Sequence, residues 1–215
     1  MFALAAKGVI MGSTINAKEG AVAAGGRAHR VRAVLLAIAK PVLFAVLLAA
    51  ASMAGAIPVP GTPVPITLQT FVVMLAALTL DWRQAGASVA LYLGAGAAGL
   101  PVFAGGASTA ALLGPSAGFL LGFLPGVIVT ALLKGKPANG HGLAGTLLTA
   151  VRYFLASLLG CVVVVYAFGF VIQSAFTGAP LAAVALASMG FVIGDLVKAA
   201  VASIAISGLA RLARR

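Results

Sequence analysis

The chain has 215 residues, 62% hydrophobic and 8% charged, with a mean hydropathy of +1.17. Soluble domains carry about 25% charged residues, so a soluble domain is excluded and an all-α integral membrane protein is implied. The formal charge of +11 does not point to nucleic acid, because the Lys and Arg flank apolar stretches, where they set orientation in a membrane.

Residues 1–32 are expected to form a cytoplasmic extension, mildly apolar, then Gly-rich, then basic at Arg27, His29, Arg30 and Arg32. Lys7 interrupts the apolar start and no convincing cleavage site follows, which argues against a signal peptide. A span needs about 20 apolar residues, so roughly six spans fit into residues 33–210. The first is predicted over 33–54. A segment with four prolines in nine residues follows, Ile57 to Pro65, and it favours extended backbone. The second span covers 66–80 and ends at Asp81-Trp82-Arg83-Gln84, a charged turn with an interfacial Trp. The third covers 85–102, and a Gly-rich loop runs from Phe103 to Ser116. The fourth covers 117–133, the fifth 146–172 and the sixth 181–209. A basic loop with His141 lies between the fourth and fifth spans, and residues 211–215 form a basic tail.

With the loops numbered alternately, the tail, the 81–84 turn, the 134–145 loop with Arg152, and the C-terminus fall on one side. They hold every Lys and Arg except Lys198, if Lys40 snorkels back along its helix. The loops on the other side (55–65, 104–116, 173–180) hold no charged residue. The positive-inside rule then predicts six spans with both termini in the cytoplasm.

That map isolates Asp195 and Lys198 as the formal charges deep in the bilayer. Three residues apart, they share one helix face. A charge at mid-bilayer costs about 2.5–3.5 kcal/mol on insertion scales, and intramembrane ionisable residues mark functional sites by default. Two readings follow: a structural ion pair locking helices together, or the base of a pocket for a small polar molecule, with the Gly/Pro loops as its lid. Irregular backbone of that kind is tolerated near the membrane where it lines a cavity. At the start of the second span, either Thr67 caps that helix and Gln69 meets water, or both face into the pocket.

Other signals are weaker. Gly114-Pro-Ser-Ala-Gly118 matches G-x-S-x-G, but a nucleophile elbow needs a strand-to-helix turn with His and acid partners. His29 and His141 map to the opposite side of the membrane, so a serine hydrolase is excluded. No GxxxxGK[ST] sequence occurs, so this chain does not power transport by its own nucleotide hydrolysis. No Cys/His cluster suggests a metal, a redox cofactor has no anchor, and the single cysteine, Cys161, is read as a small core or lipid-facing residue. Ala33, Ala37, Ala45 and Ala49 give the first span a small-residue face, suited either to its own neighbours or to docking another membrane subunit.

Several of these stretches together resemble the BioY family, the biotin-binding membrane components (S components) of energy-coupling factor (ECF) transporters. The resemblance is carried by Pro58-Val-Pro-Gly-Thr-Pro-Val-Pro-Ile-Thr-Leu-Gln-Thr70, by Gly99-Leu-Pro-Val-Phe-Ala-Gly-Gly106 leading to Gly114-Pro-Ser-Ala-Gly-Phe-Leu-Leu-Gly-Phe123, and by Gly194-Asp-Leu-Val-Lys198. It covers about residues 33–210. It implies a six-helix, non-enzymatic domain in the cell membrane that captures biotin from outside with high affinity. It also implies a transmembrane coupling protein and two ATPase subunits as partners, with ATP used only through them. Asp195 and Lys198 are the residues that the family associates with holding biotin, and the alanine face of the first span is similar to the surface S components use against the coupling protein. Tyr92, Phe103 and the Gly-rich backbone are expected to pack on biotin's apolar rings, with Thr67, Gln69 and Ser116 nearby. The sequence departs from the family after Gly114-Pro115, where Ser116-Ala-Gly-Phe119 replaces the usual Thr-Gly-Gly-Tyr, and after Gly105-Gly106, where Ala-Ser-Thr replaces further glycine. An S component for another vitamin and a structural membrane protein remain the alternatives.

Overall fold

The structure, a computed structural model, describes residues 34–138 and 142–213. The N-terminal extension with Arg27, His29, Arg30 and Arg32, together with Ala33, His141, Arg214 and Arg215, lies outside the described residues. By its contacts the chain divides into Met1–Ala39 and Lys40–Arg215, and the packing below is that of the second unit.

Among the described residues the regular structure is helical. Helix α1 runs Val34–Met53. It is followed by α2 (Gln69–Thr79), α3 (Trp82–Ala97), a 3-10 turn at Ala104–Gly106, the short α4 (Thr109–Leu112) and α5 (Ala117–Leu133). Then come α6 (Leu143–Ser157), a π segment at Leu158–Val164, α7 (Val165–Thr177), α8 (Leu181–Ala187) and α9 (Met189–Leu212). Helical hydrogen bonding satisfies the backbone within each segment, as a lipid environment demands. Among the described residues three stretches are long and apolar enough to cross a membrane: α1, the continuous α6–π–α7 run Leu143–Thr177, and α9; α2 and α5 are shorter apolar helices. The protein is a multi-pass membrane protein, and Ile193, Val197, Val201 and Ile204 give α9 an exposed apolar stripe of the kind lipid contacts.

The expected spans correspond to helices in the same order, with four differences. The second starts at Gln69, because the preceding Pro-rich segment folds back on itself: Ile57 and Ile66 exchange two backbone hydrogen bonds of 2.9 Å in an isolated antiparallel bridge. The third stops at Ala97, before Gly99, whose φ of 93° suits glycine, and before Pro101, which lacks the N–H that a continuing helix needs. The fifth is extended at both ends to 35 residues, roughly 50 Å at helical rise against a hydrocarbon core of about 30 Å. The sixth is broken at Ser188 between α8 and α9, where the serine hydroxyl donates to the Val184 carbonyl at 2.8 Å. Asp195 therefore lies in the second turn of α9.

Helix α5 is the centre of the bundle, in contact with α2, α3, α7 and the π segment. Gly118, Gly122 and Gly126 recur every four residues along its face toward the long helix. A Cβ on Gly118 would strike the Phe168 carbonyl, one on Gly122 would lie 3.1 Å from Val165, and one on Gly126 2.8 Å from the Gly160 carbonyl. Small residues at this spacing let two backbones approach closely. The π segment widens the helix at this crossing and offsets the face of α7 from that of α6. Cys161, fully in the core, sits there with its Sγ 3.2 Å from Thr130 Oγ1.

At the opposite end of α2 from the Pro-rich segment, Lys134 reaches over from the end of α5. Its ammonium donates to the Ala77 carbonyl at 2.7 Å and to the Leu80 carbonyl. Burial lowers the Lys134 pKa to about 8, with Asp81 opposing the shift, so the group stays protonated at neutral pH and stabilises carbonyls that the helix end leaves open. Asp81 also caps α3, accepting from the Arg83 and Gln84 N–H groups at 2.9 and 3.0 Å. Lys134→Met is expected to lower the melting temperature by a few degrees, for a loss of about 1–2 kcal/mol. Lys134→Arg, which keeps donors and charge, is expected to retain most of it. A thermal melt of the detergent-purified variants checks both.

Candidate functional site

Asp195 and Lys198, one turn apart on α9, form an ion pair of 2.9 Å (Lys198 Nζ to Asp195 Oδ1). The pair is not left to itself. Thr70 on α2 donates its hydroxyl to Asp195 Oδ1 at 2.7 Å and accepts from Lys198 Nζ at 2.9 Å. Lys198 gives a further hydrogen bond, of 2.7 Å, to the Thr67 carbonyl just before α2. Tyr166 on α7 donates to Asp195 Oδ2 at 2.7 Å. The three N–H groups of the ammonium thus meet three acceptors. Oδ1 receives two donors and Oδ2 one, which leaves acceptor capacity on Oδ2. The opposite charge and the added hydrogen bonds with Thr70, Thr67 and Tyr166 offset part of the cost of burying Asp195, and the cluster is neutral as a whole.

Above this cluster opens a cavity of about 430 Å³, within the range of about 300–1,000 Å³ typical of small-molecule sites. Its polar edge is made by Thr67, Gln69, Thr70, Ser116, Tyr166, Asp195 and Lys198, and its apolar walls include Phe103, Phe119, Leu120, Phe123, Val165 and Phe191. Phe119 stands in the middle of the aromatic wall, edge-on to Tyr166, Phe170 and Phe191 with centroids 6.1 Å apart in each case. The mouth is lined by the two irregular segments, Pro63 to Ile66 on one side and residues of the 104–116 stretch on the other. Gln173 on α7 donates to Thr62 at 3.1 Å and so ties the Pro-rich segment to the bundle.

The residues singled out in the sequence are distributed as follows. Asp195, Lys198, Thr67, Gln69, Phe103 and Ser116 all line the cavity. Thr67 lines the cavity and precedes Leu68, the N-cap residue of α2. Its hydroxyl accepts from the Gln69 N–H at 3.3 Å and donates to the Gln69 side-chain oxygen at 2.9 Å, while its carbonyl takes the lysine. Tyr92 does not line the cavity but stands behind the wall. It packs edge-on against Phe103 at 5.2 Å and accepts from the Gln69 side-chain amide. On α1, Ala37 is exposed, whereas Ala45 and Ala49 are partly buried against the protein's own core. Thr70 and Tyr166 were not singled out. Thr70 follows Gln69 by one residue, and only the α2–α9 packing reveals its position between the two charges. Tyr166 sits in a run of Val and Phe with no charged neighbour, so its hydroxyl carries no local signal.

Comparison with known proteins bears on this site. A family model described as the BioY family matches residues 21–215. A biotin transporter BioY of Rhizobium etli is 38% identical over 163 residues, covering 75% of this chain and 86% of that protein. A biotin transporter BioY of Thermotoga maritima is 33% identical over 151 residues, covering 69% and 82%. Among solved structures, the 2.1 Å crystal structure of an S-component for biotin from an ECF-type ABC transporter superposes with a TM-score of 0.74 at 24% identity, covering 84% of this chain and 93% of that one. This likeness establishes the shared fold.

The cavity wall depends on a close approach at Gly96 of α3, where the Phe103 ring lies so near that an added Cβ would collide with it. Gly96→Ala is expected to push that ring toward the cavity and to cost about 1–3 kcal/mol of stability through overpacking. Phe103→Leu in the same background is expected to recover part of the loss. Thermal melts of the two variants against wild type decide it.

Proposed function

The chain belongs to the BioY family, and we propose that it is the high-affinity biotin-binding S component of an ECF-type uptake transporter in the cell membrane. The observation that carries this reading is the aromatic-walled cavity with a hydrogen-bonded pair at its base, buried Asp195 and partly buried Lys198. Biotin has a ureido ring with two N–H donors and a carbonyl, an apolar bicycle and tail, and a carboxylate. Asp195 has acceptor capacity for a ureido N–H, the aromatic wall suits the bicycle, and Thr67, Gln69 and Ser116 suit the polar ends. Lys198 can serve a ligand carbonyl only by exchanging one of its three present acceptors. Tyr92 acts on the ligand indirectly, by holding Phe103 and Gln69.

In this reading residues 33–210 form a six-helix domain with both termini in the cytoplasm, flanked by the extension 1–32 and the basic residues 211–215. The uncharged segments 55–65 and 104–116 then face outside, and the ligand enters from there. The chain performs no chemistry itself. Energy for release comes from two ATPase subunits through a transmembrane coupling protein. That protein docks on the small-residue row of α1, for which the exposure of Ala37 and the half-exposure of Ala45 and Ala49 leave room.

One observation favours a second reading. Lys198 has all its donors satisfied without a ligand, as an inter-helix lock would. An S component for another vitamin is a third. Ligand-dependent stabilisation separates them, because a lock gains nothing from a small solute. Removing one member of a buried pair costs about 3–5 kcal/mol, so the informative variant is the double one, Asp195→Asn with Lys198→Met. Biotin at a hundredfold over its Kd is expected to stabilise wild type by about 2.7 kcal/mol, several degrees in a thermal melt, and to leave the double variant unshifted. An equal shift in both would make the pair structural, and no shift in wild type would remove biotin.

A further inference from the structure

Tyr166 belongs to both halves of the cavity. Its ring stands in the aromatic wall, edge-on to Phe119 at 6.1 Å and tilted against Phe170 at 5.4 Å. Its hydroxyl donates to Asp195 Oδ2 at 2.7 Å, and the residue lines the cavity. A phenol has a single proton, and here that proton is committed to the carboxylate. The phenolic oxygen keeps acceptor capacity. On the carboxylate, Oδ1 is filled by Thr70 and Lys198, so the open acceptor site belongs to Oδ2. The floor of the cavity therefore offers two oxygens side by side, Asp195 Oδ2 and Tyr166 Oη, 2.7 Å apart. Lys198, beside them, has its donors already engaged.

We propose that Tyr166 is a specificity-determining residue of the ligand site. Its hydroxyl fixes the orientation of Asp195 Oδ2 and forms with it a two-oxygen edge that takes one N–H donor of an amide- or urea-type ligand. This rests on the biotin reading above and adds a residue and a selection rule to it. The edge selects for a ligand N–H and against an oxygen or an N-alkyl group at the same point, because either would leave two desolvated acceptors unpaired. The backbone prepares the residue for this role. The Gly118, Gly122 and Gly126 face of α5 lets the long helix approach closely, and the π segment Leu158–Val164 ends two residues before Tyr166.

The test uses the full-length protein in detergent. Biotin affinity is measured by calorimetry for wild type, for Tyr166→Phe, and for a form carrying p-aminophenylalanine at position 166, which keeps a donor at the same point. An N-methylated ureido derivative of biotin is titrated alongside. Tyr166→Phe is expected to bind biotin about tenfold or more weakly. Its preference for biotin over the N-methyl derivative should shrink by a similar factor, a change that a merely structural role would not produce. The p-aminophenylalanine form restores the donor to Asp195 but offers only a weakly accepting nitrogen to the ligand N–H, so it should recover part of the affinity and part of the preference. If Tyr166→Phe binds biotin within about twofold of wild type, with its preference unchanged, the proposal is overturned. If Tyr166→Phe does not fold, the p-aminophenylalanine form decides: reduced affinity and reduced preference support the two-oxygen edge, and wild-type values of both refute it. Wild type that fails to bind biotin would overturn the underlying reading, and this inference with it.

Discussion

Two opposite charges inside an apolar helix bundle constrain everything packed around them, because each must find its hydrogen bonds within the protein. Asp195 and Lys198 do so by drawing on three other parts of the chain: the Thr67 carbonyl and the Thr70 hydroxyl at the start of α2, and the Tyr166 hydroxyl on α7. The cost of about 2.5–3.5 kcal/mol for each charge in a bilayer is offset only while those segments keep their registers. The break at Ser188, the start of α2 at Gln69 and the π segment before Tyr166 are each local features that help set one of those registers.

The rest of the bundle serves to hold that arrangement at close range. Glycines on α5 remove the side chains that would separate it from the long helix, and Lys134 ties the far end of α2 to the end of α5. On the side of the cavity mouth, irregular backbone is stabilised piece by piece. The Ile57–Ile66 bridge closes the Pro-rich segment, Gln173 holds Thr62, and Ser52 donates to the Val102 carbonyl at 2.6 Å beside Phe103. Such segments, built from few contacts over a packed base, are the ones expected to open for a ligand before the helices do.

Much of this was legible in the sequence, for identifiable reasons. Charged residues are so costly in lipid that a lone Asp and Lys in an apolar run announce themselves, and the loops rich in Gly and Pro mark irregular backbone. The order of the helices follows from apolar length. The features that escaped are those without a one-dimensional signal. A hydroxyl such as that of Thr70 or Tyr166 is compatible with any side of a membrane helix, and only packing selects its partner. Tyr92 suited a ligand wall by residue type, yet the close contact of Phe103 with Gly96 occupies that wall and leaves Tyr92 one layer behind. The break at Ser188 fell in a continuous apolar run with no proline, where hydropathy predicts one uninterrupted helix.

The central claim is that the buried pair is the floor of the ligand site and not a lock beside it. A structure of the protein determined with biotin bound tests this most directly. The account predicts the ureido ring over the pair, with one N–H about 3 Å from Asp195 Oδ2 and the Asp195–Lys198 contact preserved. Biotin located elsewhere in the bundle, with the polar cluster around Asp195 unchanged and untouched, would contradict it.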